Sequence, residues 1–384
     1  MKKSNKLNKT EYSIAIFKRF DIYWQLLGYK TKYNAYLMYI YQTIITIAVT
    51  IGFPLHLNIG LLLARNQEEF FNNMALNVAS IACTIKIITY TMHINEMEEL
   101  TELYAKLDAR LQKNDESTYF QYKVKRFSHF MVTMFSTSYF SSGIVLLISL
   151  ALGGKRRLLC PAWLPIDWET SSFSYICAII YQYIGLCMQT VQNVINDAYS
   201  PVAYCTLAGH VHILAMRISK IGYNAKMADG INATELHECF EDYSRIMCIH
   251  RRLERIVSIP LLVQFLANAL NICAALVYLL FFADNIIGYI YYIMFLFSII
   301  VELFPVCYYG SLMEDELRNL PYALFTCKWF TQTNVFRRSI IVFTQISLRN
   351  VPAFAGGLFR IHLDSFFATC KMAYSFFTLV MSIK

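Results

Sequence analysis

Apolar residues run along this chain in long stretches separated by short polar connections. Seven stretches have the length of membrane-spanning helices: Tyr33–Leu57, Met74–Met92, His129–Leu152, Ser172–Asn196, Ile259–Phe282, Gly288–Tyr309 and Leu363–Ile383. A helix rises ~1.5 Å per residue and the hydrocarbon core is ~30 Å thick, so about 20 residues cross it. The pattern changes after Asn196. From Glu235 to Ile259, Leu236, Phe240, Tyr243, Met247, Ile249, Leu253 and Ile256 recur at helical spacing among charges. That predicts an amphipathic helix outside the bilayer, prolonging span five. Span four is expected to run on past Asn196, bent near Pro201. Ser339–Leu348 is apolar but about ten residues long, too short to cross. It reads as a submembrane helix, followed by a break at Pro352 and Gly356–Gly357 and then by the last span. Ser375, Thr378 and Ser382 on that span suggest a helix lining something polar in a larger assembly.

Composition agrees with a polytopic membrane protein. The 384 residues are 57% hydrophobic and 16% charged, whereas soluble domains carry about 25% charged residues. Residues 1–32 are basic and only mildly apolar, so no cleavable signal peptide is expected. Within them Phe17–Leu27, aromatic and basic, fits a short helix on the inner leaflet.

Charge gives the direction. The N-terminal segment holds 8 Lys and Arg, and the connections after spans two and four hold 6 and 7. The connection after span six is basic too. The other side holds 1 after span one, 3 after span three, none after span five and 1 at the C-terminus. The positive-inside rule therefore places the N-terminus in the cytoplasm and the C-terminus outside. The sequons at Asn8 and Asn232 then face the cytoplasm and are expected to stay unmodified. The expected fold is an all-α membrane protein of seven transmembrane helices. Its last helix is split into a submembrane piece and a spanning piece. One integrated domain is expected: residues 1–32 as a cytoplasmic N-terminus, 33–310 as spans one to six with extensions in 196–258, 311–362 as a submembrane anchor, and 363–384 as the last helix.

Enzyme signatures are missing: no phosphate-binding loop, dinucleotide fingerprint, zincin motif or nucleophile elbow occurs. No cofactor is expected. His210 and His212 are two apart with no carboxylate-rich neighbourhood, so no metal site is expected. The net charge of +8 sits in the connections and gives no reason to invoke nucleic acid. Of eleven Cys, Cys83, Cys177, Cys187, Cys273, Cys307 and Cys370 lie in or beside spans, and Cys160 lies alone in an outer loop. Free thiols are the expectation. Within spans, Lys86 must face protein, water or, by snorkelling, a lipid headgroup. Glu302 reads as the lone acid of span six. Amides at Gln182, Gln189, Gln192, Asn193, Gln264, Asn268 and Asn271 read as helix-to-helix ties. No chain of buried carboxylates or inverted repeat suggests a transporter.

The outer halves of the spans are rich in aromatic residues and Met. Met74, Val78 and Ile81 begin span two, and Tyr139, Ser142 and Leu146 end span three. Tyr175 and Ile179 begin span four, and Tyr289 and Tyr292 begin span six. Each fits ordinary packing or an interfacial aromatic belt. Together they also fit an apolar pocket with a few hydroxyls, suited to a small volatile molecule.

Three stretches resemble the insect odorant receptor family. F-P-V-C-Y-Y-G-S-L-M-E-D-E-L (Phe304 to Leu317) is similar to its aromatic-Gly-acidic stretch leaving span six. A-L-F-T-C-K-W-F (Ala323 to Phe330) resembles its Ala-x-x-x-Cys-x-Trp motif. A-G-G-L-F-R-I-H-L-D-S-F (Ala355 to Phe366), followed by A-Y-S-F-F-T-L (Ala373 to Leu379), is similar to its C-terminal signature. Lys328 departs from the family's frequent Asp there. The loop after span four is too short for the family's co-receptor, so the resemblance is to a ligand-tuning subunit. The resemblance implies an odorant-gated, non-selective cation channel in the cell membrane of olfactory sensory dendrites. Its partners would be a small volatile odorant, membrane lipid and the co-receptor in a tetramer. The odorant would bind in the outer half of spans two to six, and the final helix would line the pore. There Phe377 and Met381, four apart, are the candidate apolar gate, with packing against span five as the alternative. Ser375, Thr378 and Ser382 would form the wetter lining. A seven-span chemoreceptor signalling through a G protein is the competing reading, and the inverted orientation opposes it.

Overall fold

The long apolar runs become helices much longer than a bilayer needs. The computed structural model describes residues 12–30, 35–64, 66–111, 114–152, 156–223, 229–282, 286–349 and 351–382. Span one is α2 (Ala35–Ile45), a π-helical turn (Thr46–Ile51) and α3 (Gly52–Leu62). Span two is α4 (Gln67–Met92), whose N-terminus is capped by Asn66 accepting the Glu69 N–H at 2.8 Å. Span three is α7 (Arg126–Leu152), and span seven is α12 (Leu363–Ser382). Spans four, five and six belong to α8 (Ser172–Lys220, 49 residues), α9 (Asp229–Phe281, 53 residues) and α10 (Ile286–Thr326, 41 residues).

At ~1.5 Å per residue, α8 and α9 each reach ~75 Å, more than twice the hydrocarbon thickness. Both extensions expected from the pattern are therefore present, and α8 stays helical through Pro201. α10 continues beyond Tyr309 to Thr326, so the segment from residue 311 starts inside the same helix as span six.

The projecting halves need apolar cover, and they supply it to each other. α8 is buried at nearly every position from Val194 to Leu214, which makes it the axis of the submembrane core. Around it pack α1 (Tyr12–Leu26), the inner half of α9, and α10, while α5 (Ile94–Asp108) and α6 (Asn114–Tyr119) reach it through Tyr104, Glu116 and Tyr119. α1 buries Ile16, Phe17, Phe20 and Trp24. Phe17 stacks on Tyr104 at 5.3 Å, and Phe20 meets Tyr199 edge-on at 5.7 Å. The aromatic face expected to lie on the leaflet is thus taken by protein. Asp108 accepts the Ser13 N–H at 2.5 Å and its hydroxyl at 2.9 Å, capping α1 from another helix. Deeper still, Arg217 holds Glu116 at 2.8 Å and Asp242 at 3.0 Å.

The break before the last span is a small hairpin. α11 (Asn334–Ser347) ends, and β1 (Phe354–Ala355) pairs antiparallel with β2 (Phe359–Arg360). Gly356 and Gly357 make the turn with φ of 59° and 69°, the left-handed region that favours glycine. Opposite, Gly310 on α10 lies so close that a Cβ there would meet the Ile361 carbonyl oxygen at 2.3 Å. α12 starts from this hairpin and packs on α9 and α10.

Candidate functional site

The outer half of the bundle is shaped by a loop and by polar ties between spans. The connection between α7 and α8 folds inward: Gln182 accepts from the Leu159 and Cys160 N–H groups (2.9 and 3.3 Å) and donates to the Cys160 carbonyl (2.9 Å). Leu159 and Cys160 thereby join Phe53 and Leu57 in an outer apolar cluster, with Ile179, Tyr181 and Leu76 against it. Cys160 is a free, buried thiol. The π-helical turn of span one offsets backbone carbonyls, and side chains take them. Tyr181 donates to Ala48 at 3.1 Å and Thr84 to Thr50 at 2.8 Å. Gln189 donates to Ser80 and Gln192 to Thr50, both at 2.7 Å. Gln189 and Gln192 of span four are therefore ties between helices, and Gln182 ties its helix to the loop. An outer vestibule of 460 Å³ opens beside this loop, lined by Arg156, Arg157, Trp163 and Trp168 with Gly60 and Glu69.

The residues singled out for a pocket sit in different settings. Met74 and Val78 are half-buried on α4, and Ile81 is exposed. Tyr292 is 3% exposed and stacks on Tyr278 of α9 at 4.3 Å, whereas Tyr289, three residues earlier, is 42% exposed. Tyr175 is half-buried, donates to the Arg157 carbonyl at 3.2 Å and lies under the Arg156 guanidinium. Ser142 is exposed and donates back to the Ser138 carbonyl at 2.9 Å. The Leu146 side chain lies outside the described residues. Tyr139 is half-buried, and its hydroxyl donates to Asp197 at 2.6 Å.

Tyr139 leads to the feature that sequence reasoning missed. Lys86 neither snorkels nor meets lipid; it is buried and ion-paired to Asp197 at 2.6 Å, with Glu302 at 3.6 Å. It also donates to Gln264, which donates to Glu302 at 2.5 Å. Glu302 is therefore not alone. Asp197 lies just past the last residue assigned to span four, so no count of acids within spans included it. The signal was there: one Lys inside an apolar span needs a buried anion on a neighbour.

α12 presents two faces. Phe366, Thr369 and Ala373 are buried, and Phe377, four residues beyond Ala373, continues that packed face as a half-buried ring. Ser375, Thr378 and Ser382 form an exposed stripe on the other side. The Met381 side chain lies outside the described residues. In the submembrane half, α9 and α11 leave an apolar groove of 430 Å³ lined by Leu236, Phe240, Val335, Phe336, Val342 and Phe343. His210 is stacked by Tyr104 at 5.8 Å, and His212 stacks on Tyr119 at 4.4 Å and meets Glu316 at 3.0 Å. The two imidazoles thus face different neighbours.

Comparison with known proteins gives this arrangement a family. A family model described as 7tm odorant receptor matches residues 66–374. Odorant receptor 33b of Drosophila melanogaster is 35% identical over 369 residues, covering 96% of this chain and 97% of that protein. Odorant receptor 33a of the same species is 33% identical over 373 residues, covering 96% and 97%. Among solved structures, the insect olfactory receptor OR5 from Machilis hrabei is similar with a TM-score of 0.81 at 15% identity, covering 97% of this chain and 100% of that one. The same receptor in complex with eugenol gives 0.80. The fold, the match across four-fifths of the chain and the full-length relatives together establish that this chain belongs to the insect odorant receptor family, as a ligand-tuning receptor rather than the co-receptor or an enzyme.

Proposed function

We propose that this membrane receptor is the tuning subunit of an odorant-gated, non-selective cation channel. It binds a small volatile, largely apolar molecule in the outer half of its bundle. Met74, Val78, Ile81, Tyr139, Ser142, Leu146, Tyr175, Ile179, Tyr289 and Tyr292 are the candidate contacts. A likeness in fold to a receptor solved with eugenol supports a ligand of that size. The observation that carries the channel reading is α12. A spanning helix that exposes Ser375, Thr378 and Ser382 in one stripe while packing its opposite face on α9 and α10 suits a polar or partnered surround, although each hydroxyl also donates to a carbonyl of its own helix. A central pore shared by four such helices supplies one. The stripe is the lining, and Phe377 with Met381 forms an apolar constriction only if the helix rotates away from its present packing.

The groove between α9 and α11 fits the second requirement, a partner subunit. Val335 and Val342 on α11 are exposed and apolar below the membrane, where lipid does not cover them. The co-receptor is the proposed occupant, and the dendritic membrane of an olfactory sensory neuron the proposed place of work. The test is whole-cell recording with an odorant panel, the chain expressed with and without the co-receptor. Odorant-evoked cation current that requires both subunits and persists when G-protein signalling is blocked is expected. Current abolished by that block would sink the channel reading.

A further inference from the structure

The buried ionic cluster joins two sets of helices with different tasks. Lys86 is on α4, Asp197 on α8, Glu302 on α10, Gln264 on α9 and Tyr139 on α7, so five helices meet through five side chains. The Lys86 and Asp197 side chains are 4% and 2% exposed. Lys86 stands six residues, or about 9 Å along the axis, from the last residue of α4. The cluster therefore lies near the level where the spans pass into the submembrane core. Above it, α4, α7, α8 and α10 carry the candidate odorant contacts. Beside it, α9 and α10 are the helices on which α12 packs.

An ion pair at this depth resists being stretched. Parting Lys86 from Asp197 leaves two charges uncompensated in an apolar surround, so the paired helices shift together or exchange partners in one step. Partners for such an exchange are at hand. Among the described residues, Asn196 Oδ1 and Asn268 Nδ2 are buried without a hydrogen bond, although Asn196 adjoins Asp197 and Asn268 Oδ1 accepts from Gln264 at 3.0 Å. Unused buried donors and acceptors beside a charged cluster suit an element with two arrangements.

We propose that Lys86, Asp197 and Glu302, with Gln264 and Tyr139, form the joint that passes odorant-driven displacement of α4, α7 and α8 to α9 and α10, and so to α12. The proposal rests on the channel reading above. It makes Lys86, Asp197, Glu302 and Gln264 positioning residues for gating, and it moves Tyr139, whose hydroxyl is held by Asp197, from the candidate odorant contacts to the same role.

Two-state gating separates those roles. A residue that biases closed against open shifts potency by the same factor for every agonist and moves basal current with it. A residue touching the odorant shifts each agonist differently. The experiment compares Tyr139→Phe, Glu302→Gln and Lys86→Met with wild type. Each is co-expressed with the co-receptor, with surface abundance measured and concentration–response curves taken for several unlike agonists. Tyr139→Phe deletes one oxygen and leaves the ion pair intact, which keeps the test open if Lys86→Met fails to reach the surface. The expected result is a common shift, about tenfold for Tyr139→Phe, because one hydrogen bond to a charged group is lost. Unshifted potency in surface-expressed variants overturns the joint, and so does a shift that differs between agonists. A wild type that conducts no odorant-evoked current instead removes the channel reading on which the joint depends.

Discussion

Replacing Tyr292 with Ala separates a wall of the odorant pocket from ordinary packing. The ring is 3% exposed, stacks on Tyr278 at 4.3 Å with planes 21° apart, and meets Phe295 edge-on at 6.4 Å. Removing a buried aromatic side chain costs about 3–5 kcal/mol of packing in general. The share belonging to a contacted ligand is smaller. Losing one aromatic surface from a bound odorant costs about 1–3 kcal/mol, or roughly ten- to hundredfold in potency. Tyr292→Phe keeps the stack with Tyr278 and should retain most of that potency, whereas Tyr292→Ala should lose it. The assay is odorant-evoked current with the co-receptor, normalised to surface protein. A Tyr292→Ala receptor at wild-type surface level and wild-type potency would refute the placement of the pocket against this ring. A variant that never reaches the surface shows the packing cost alone, and Tyr292→Leu, which restores apolar volume without a ring, then carries the test.

Arg217→Met should lower the melting temperature of the detergent-solubilised receptor by an amount corresponding to about 3–5 kcal/mol, since it strands Glu116 in the core while Asp242 keeps Arg110 at 2.5 Å and Arg245 at 3.0 Å; an unchanged melting curve would show that the Arg217–Glu116 pair contributes nothing. Burial, helped by the Arg251 charge, pushes the His250 imidazole down from 6.5 to about 4. The folded state favours its neutral form while the unfolded chain protonates near 6.5, so stability is undiminished by this group above pH 6.5 and falls by up to about 3 kcal/mol as pH drops toward 4; His250→Met should flatten stability across that window, and identical pH profiles would count against the assignment. Cysteines placed at Ser375, Thr378 and Ser382 should react with a charged thiol reagent and block current, while one at Ala373 should not, and the reverse pattern would put the other face in the pore. A tag before residue 12 should be reachable only after permeabilisation and Asn232 should carry no glycan; in the structure Asn232 is buried and donates to Gln332 at 3.2 Å.

The long apolar runs were legible because crossing a bilayer is a local requirement. About 20 apolar residues cross wherever they stand, and Lys and Arg in the connections orient them. The seven spans, the extensions of α8 and α9, the break before α12 and the family motifs of the C-terminal third all follow from such contiguous signals; that the break is a β-hairpin came only with the structure. The amide ties of span four were legible as well, since a Gln in hydrocarbon needs a partner whatever that partner is. Rotation about each helix axis was not. A span that is apolar on every side has no moment to say which face meets a neighbour, and only packing against that neighbour sets it. Hence Tyr289 and Tyr292, three residues apart, part company: one is largely exposed and the other sealed against Tyr278. Phe377 likewise shares the packed face of α12 with Ala373 while Ser375, Thr378 and Ser382 share the open one. Lys86 showed in the sequence only that a charge lies inside an apolar span and must face protein, water or a headgroup. That its partners are Asp197 and Glu302, from helices more than a hundred residues away along the chain, was decided only when five helices closed around it, because a charge in a low-dielectric interior takes whichever counter-charge the fold brings within reach.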